Sequence, residues 1–113
     1  MANTFKLKTK AAIDTSLVSI YTVPANTKTI VLGLTISNIK GSSVTADAQI
    51  ATASSSGENA DDVYIIKSVP LPAGSSIEVM AGNKIVLEAG DVVKVKGSVT
   101  DAVDAILSIM EIA

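Results

Sequence analysis

The densest group of oxygen donors in the chain is "GENADD", where Glu58, Asp61 and Asp62 could serve a hard cation such as Ca²⁺. Calcium takes six to eight oxygens, usually from a loop of fixed spacing, and that spacing is missing here, so the stretch reads as a solvated acidic loop. Asp101 and Asp104 are a second pair of carboxylates with the right chemistry for proton transfer. No aromatic platform accompanies them in sequence, and they read as turn formers between strands. With Phe5, Tyr21 and Tyr64 as the only aromatic residues, a sugar-binding cleft is also poorly supplied.

A third candidate is a repeated motif. "YTVPANTKTIVLGL" (Tyr21 to Leu34) and "KSVPLPAGSSIEVM" (Lys67 to Met80) both run an apolar stretch into Pro-Ala-Asn or Pro-Ala-Gly, then Thr or Ser, then an alternating strand; "LEAGDVVKV" (Leu87 to Val95) is a looser copy. Such turns could cradle a ligand. Their chemistry has a simpler account: Pro fixes φ, Asn or Gly accepts the left-handed conformation, and the next Ser, Thr or Asp bonds local backbone. They read as corners where the chain leaves one strand for another.

Composition removes whole classes of function. The 113 residues make one domain's worth of chain and contain no Cys, which excludes disulfides, thiolate metal sites and cysteine nucleophiles. The absence of His removes the commonest general base and metal ligand. All nine basic residues are Lys, and the net charge is −2. Without the bidentate fork of Arg or a positive field, nucleic-acid binding is not expected. The N-terminal "MANTFKLKTKAAIDTS" has no continuous apolar run behind its lysines, so neither a secretory signal nor a transit peptide is expected. The apolar runs fall far short of the roughly 20 residues of a membrane helix, and no membrane partner is expected.

The elements that would position any site are strands, because the apolar period is two nearly throughout. Ile30, Leu32, Leu34 and Ile36 share one parity, and Val44, Ala46, Ala48 and Ile50 share one in "VTADAQI"; these two strands read as an antiparallel pair joined through Gly41. "ASSSGENAD" is loop. "DVYIIKSV" is apolar on both parities and is expected to be covered on both faces, at least in part. "SSIEVM" and "KIVLE" flank the Gly82-Asn83 pair of a tight hairpin. In "DVVKVKGSV", Val93 and Val95 oppose Lys94 and Lys96, and "DAILSIMEIA" again carries apolar residues on both parities.

With "SLVSIYTV" added, the expectation is an all-β, antiparallel β-sandwich or jelly-roll-like fold of about eight strands with no substantial helix. Residues 1–16 are an N-terminal arm or edge strand, and residues 17–113 are the sandwich. Its core is expected to include Ile30, Leu32, Leu34, Ile36, Val44, Ile50, Val93 and Val95.

The run "SIYTVPANTKTIVLGLTISNIKGSS" resembles the opening of small virion structural proteins of tailed bacteriophages, many of them cyanophages. Ile20 to Ala25, Thr35 to Asn38, Val69 to Val79 and Lys84 to Asp91 match recurring turn and strand motifs in the same order, over roughly Leu17 to Ala113. The resemblance implies a non-enzymatic particle component, resident in the virion, with no catalytic residues to carry over; from the residues themselves no cofactor or metal is expected, and the chain is expected to be made in the host cytoplasm. A self-assembling capsid decoration subunit is the leading reading, docking on phage capsid or tail proteins and by analogy a trimer. A tail, baseplate or fibre subunit that recognises a host receptor or glycan is the alternative.

Candidate interface residues follow from the strands with apolar residues to spare. In the N-terminal segment Phe5 and Leu7 alternate with Lys6, Lys8 and Lys10, a pattern that suits either an edge strand guarded by lysine or an arm on a neighbouring subunit. Tyr64 and Ile66, and the row Ile106, Met110 and Ile112, are the others, because an antiparallel sandwich of this size normally shows one face of each sheet to water.

Overall fold

The computed structural model describes residues 3–52, 61–80 and 82–113. Among them there are nine strands and no helix: β1 (Asn3–Ile13), β2 (Val18–Thr22), β3 (Lys28–Asn38), β4 (Val44–Ala51), β5 (Val63–Leu71), β6 (Ser76–Glu78), β7 (Ile85–Leu87), β8 (Val92–Gly97) and β9 (Val103–Ile112). They make two antiparallel sheets, β1-β9-β3-β6 with β7 also on β3, and β2-β8-β4-β5. β6 pairs with Thr35 to Ser37 and β7 with Thr29 to Val31, so the two occupy successive stretches of one strand position. The architecture therefore has the eight expected strand positions. β1 lies on β9, β2 on β8, β4 on β5, and β3 on β6 and β7, which is one long antiparallel hairpin rolled up as a jelly roll.

The three repeated turns are corners of this roll. Asn26, Gly74 and Gly90 all have positive φ (58°, 70° and 90°), the conformation that Asn tolerates and Gly adopts freely. Ser75 N–H bonds Pro72 C=O at 3.1 Å and Asp91 N–H bonds Glu88 C=O at 3.0 Å, closing two of the turns. The polar residue after each left-handed position bonds local backbone: Thr27 Oγ1 to Ala25 O, Ser75 Oγ to Pro72 O, and Asp91 Oδ2 from Glu88 N.

The core lies between the sheets and contains the expected Leu34, Ile36, Val44, Ile50, Val93 and Val95, with Val103, Leu107 and Ile109 from β9. Ile30 and Leu32 are corrections. They are only half-buried and lie on the outer face, while Thr29 and Val31 take the inner positions. The register of β3 on β9 shifts between Val31 and Gly33, and this bulge turns the strand so that parity read through it changes faces.

Three strand readings are also corrected. β3 and β4 do not pair; the chain crosses between sheets at Gly41. β6 and β7 do not form a hairpin with each other, since both are hydrogen-bonded to β3; Ala81 of the expected turn lies outside the described residues. β5 is an edge strand with Val63 and Tyr64 exposed, not a strand covered on both faces.

At the end of β3, the buried Asn38 ties the β3–β4 connection to the end of β5: its Nδ2 faces the carbonyls of Ser42, Leu71 and Pro72 at 2.9–3.1 Å, and its Oδ1 accepts Lys40 N–H at 2.7 Å. Asn38→Ala strands these carbonyls and is expected to destabilise the protein by about 1–3 kcal/mol in urea denaturation. A change within error would show that water replaces the amide without loss.

Candidate assembly surface

Cross-strand register assigns the outer face of the β1-β9-β3 sheet row by row. Phe5 pairs with Met110, Met110 with Ile30, and Ile30 with Val86, giving an unbroken apolar row across four strands. Toward one end the next row is Asn3, Ile112 and Lys28. Toward the other end come Leu7, Ser108 and Gly33 beside the bulged Leu32, then Thr9, Ile106, Thr35 and Glu78, then Asp104, Ser37 and Ser76. Phe5 is 71% exposed, Leu7 64%, Val86 63% and Ile106 45%, so large apolar side chains stand open on a face that an antiparallel sheet usually gives to polar residues. Ile30, Leu32, Met110 and Ile112 are half-buried and do not pack against the core cluster.

Charge is confined to the border of this apolar field. Lys28 pairs with Glu88 at 3.1 Å beside a hollow of about 370 Å³ that also touches Asn26 and Ile112. At the opposite end a hollow of about 260 Å³ is lined by Thr9, Ser37, Asp104 and Ile106. Asp104 stands on β9, not in a turn as expected, and accepts Ala12 N–H at 2.8 Å; Asp101 is in the preceding turn with φ of 53°. Glu78 closes the bulge, accepting from Leu34 N–H at 3.1 Å and Thr35 Oγ1 at 2.9 Å.

Lys6, Lys8 and Lys10 lie on the other side of β1, opposite Ile109, Leu107 and Ala105, and so point toward the seam between the sheets. Inward-pointing charges on an edge strand oppose stray strand addition. Here they also make contacts. Lys6 Nζ is 2.9 Å from Glu111 Oε1, and Lys8 Nζ is 5.9 Å from the centre of the Tyr21 ring. Glu111 Oε2 accepts the Tyr21 hydroxyl at 2.5 Å, and that hydroxyl lies 2.8 Å from Thr29 Oγ1. These hydrogen bonds from Tyr21 and Lys6 hold the Glu111 carboxyl below its ordinary range. Burial, aided by Glu111, pushes the Tyr21 hydroxyl up to about 12. The cluster joins β1, β2, β3 and β9 across both sheets, so it acts as a structural clasp.

The second sheet's outer face is polar. Lys94 and Lys96 alternate with the buried Val93 and Val95, and Asp47 sits under Lys67 at 3.2 Å and Lys96 at 3.9 Å. Tyr64 is on this sheet with Lys67 Nζ 4.7 Å from its ring centre, while Ile66 packs against the core. The structure thus brings Phe5, Leu7, Ile106, Met110 and Ile112 onto one surface and places Lys6, Lys8, Lys10, Tyr64 and Ile66 elsewhere. Ile30, Leu32 and Val86 belong to the surface and escaped the sequence reading. The signal for the first two was Gly33, since an isolated glycine inside a strand pattern marks a bulge.

Glu58 of the calcium reading lies outside the described residues, and Asp62 Oδ1 accepts Thr52 N–H at 3.0 Å. Among the described residues no group of three or more acidic side chains is placed to hold a metal ion. No helix among them is long and apolar enough to cross a membrane.

No protein-family model matches the sequence, and no curated protein matches it. Among solved structures, one of Bacillus endospore appendages, described as a family of disulfide-linked pili, is similar over 97% of this chain and 84% of its own, with a TM-score of 0.50 and 14% identity. At that identity the likeness is one of fold. The present chain, without cysteine, has no means of forming the disulfide links named for those pili. The infectious bursal disease virus VP2 subviral particle aligns with 95% of this chain and 41% of its own at a TM-score of 0.30 and 10% identity.

Proposed function

We propose that this chain is a non-enzymatic structural subunit of a tailed-phage virion, which self-associates and docks on the particle as a capsid decoration protein. The observation that carries the reading is the contrast between the two sheets: one outer face is polar and lysine-rich, whereas the other carries a continuous apolar field over about half its rows, bordered by charge. Such a field on one side of a small domain marks a protein contact. The resemblance of its turn and strand motifs to those of small virion proteins supports the particle context. The three aromatic residues lie on β1, β2 and β5 rather than in loops, which favours a packing role over a receptor-binding one.

Imaging or cross-linking of intact particles tests this directly. The expected result is the chain in a regular array on the capsid shell. Location on the tail, baseplate or fibre would replace decoration with the alternative role, and absence from the virion would overturn the proposal.

A further inference from the structure

We infer that the outer face of the β1-β9-β3 sheet pairs with the same face of a second copy, about a two-fold axis running along the strands between β9 and β3. This rests on the reading of the chain as a self-assembling subunit and names the contact that does it. A face matched to itself makes an isologous pair, in place of the trimer that the sequence resemblance implied.

Area is the first argument. The ten residues of β9 and four strand widths give a face of about 34 by 19 Å, roughly 650 Å² in projection with about half of it apolar, which is close to the ~800 Å² that each partner of a stable interface buries and to the mixed polarity of such interfaces. Two such sheets stack about 10 Å apart with their strands within about 30° of each other, the ordinary geometry of a sandwich interior.

The distribution of side chains selects the axis. Ile112, Phe5, Met110, Ile30, Val86, Leu7 and Leu32 occupy one half of the face, with Asn3 and Lys28 in its end row at the rim, where a lysine stem can lie along the partner's Ile112 and keep its ammonium in water; Thr9, Thr35, Glu78, Asp104, Ser37 and Ser76 take most of the other half. An axis across the strands would press Val86 on the partner's Glu78 and Ile112 on the partner's Asp104, taking carboxylates out of water against hydrocarbon. An axis along the strands keeps the apolar half on the apolar half. The row Phe5-Met110-Ile30-Val86 then meets itself reversed, with Phe5 against the partner's Val86 and Met110 against the partner's Ile30.

Because the chain has no cysteine, introduced cysteines report contacts without background. A mixture of Phe5→Cys and Val86→Cys chains is expected to give an oxidatively linked heterodimer, with neither variant linking to itself. Lys94→Cys, on the other sheet, stays unlinked. Equilibrium sedimentation of the unmodified chain at micromolar concentration should give a dimer, and Met110→Lys should give a monomer with an unchanged β spectrum. Self-linking of Leu7→Cys would put the axis across the strands and overturn the inference. A wild-type oligomer without the Phe5-to-Val86 link would overturn the contact and leave the structural-subunit reading standing. A monomeric wild type would overturn the pairing and leave the virion surface as the cover for this face.

Discussion

Leu34→Ala is expected to lower the unfolding free energy by about 2–5 kcal/mol, whereas Leu32→Ala, two residues away, lowers it by less than about 1 kcal/mol. Leu34 is fully buried between the sheets, so its truncation removes apolar contacts and leaves a cavity that the packed neighbours close only in part. Leu32 lies on the outer face, half-covered and outside the core cluster, and its truncation mainly trims surface. The comparison belongs in the monomeric Met110→Lys background, where pairing of the outer face does not add to the stability of Leu32. Urea denaturation of both variants reads the difference. Equal losses would mean that the strand continues without a bulge and that the two leucines share a face.

The same pair of residues shows how far the sequence was legible. A period of two identifies strands and is strict between irregularities, which is why the alternation of β4 and β8 correctly separates Val44, Ala46, Ala48, Ile50, Val93 and Val95 from their polar neighbours. One extra residue inverts every assignment beyond it. In β3 that inversion exchanged Ile30 and Leu32 for Thr29 and Val31, and a buried threonine is hard to anticipate because its partner, the Tyr21 hydroxyl, comes from the other sheet. Turn chemistry was legible for a related reason. The need for a left-handed residue at Asn26, Gly74 and Gly90 is local, so four residues contain the whole cause. Which strands the turns connect is not local: Gly41 and Gly82 have the composition of hairpin turns, yet the first carries the chain between sheets and the second lies between two strands that both pair with β3. The surplus of apolar residues in β9 was visible as composition; the apolar surface it belongs to needed the register to bring Phe5, Ile30 and Val86 beside Met110.

Glu111→Gln is expected to lower stability at neutral pH by about 1–3 kcal/mol and to flatten the acid side of the stability profile. Glu111 receives hydrogen bonds from Tyr21 and Lys6, and these favour its charged form, so its carboxyl titrates lower in the folded protein than in the unfolded chain. A group shifted in that direction contributes stability that is fully present above the ordinary glutamate range of about 4.3 and is lost as the pH falls through the lowered folded value. The unfolded chain then binds the proton first, and protonation pulls the equilibrium toward it. Tyr21 is shifted upward, to about 12, so its contribution has the opposite sense: present in full below about 10 and lost as the pH rises toward 12. The wild type should therefore lose melting temperature at both extremes. Glu111→Gln should remove part of the acid slope, and Tyr21→Phe should weaken both limbs, since it takes the donor from Glu111 and the titrating hydroxyl from the seam. Because Lys6 belongs to the exposed edge strand, added salt should weaken its share of the clasp and leave the Tyr21 bond, buried between the sheets, in place. Melting curves from pH 2.5 to 11.5 at two salt concentrations test the assignment. An acid slope identical in wild type and Glu111→Gln would show that other carboxylates carry the acid transition and that the clasp contributes nothing to it.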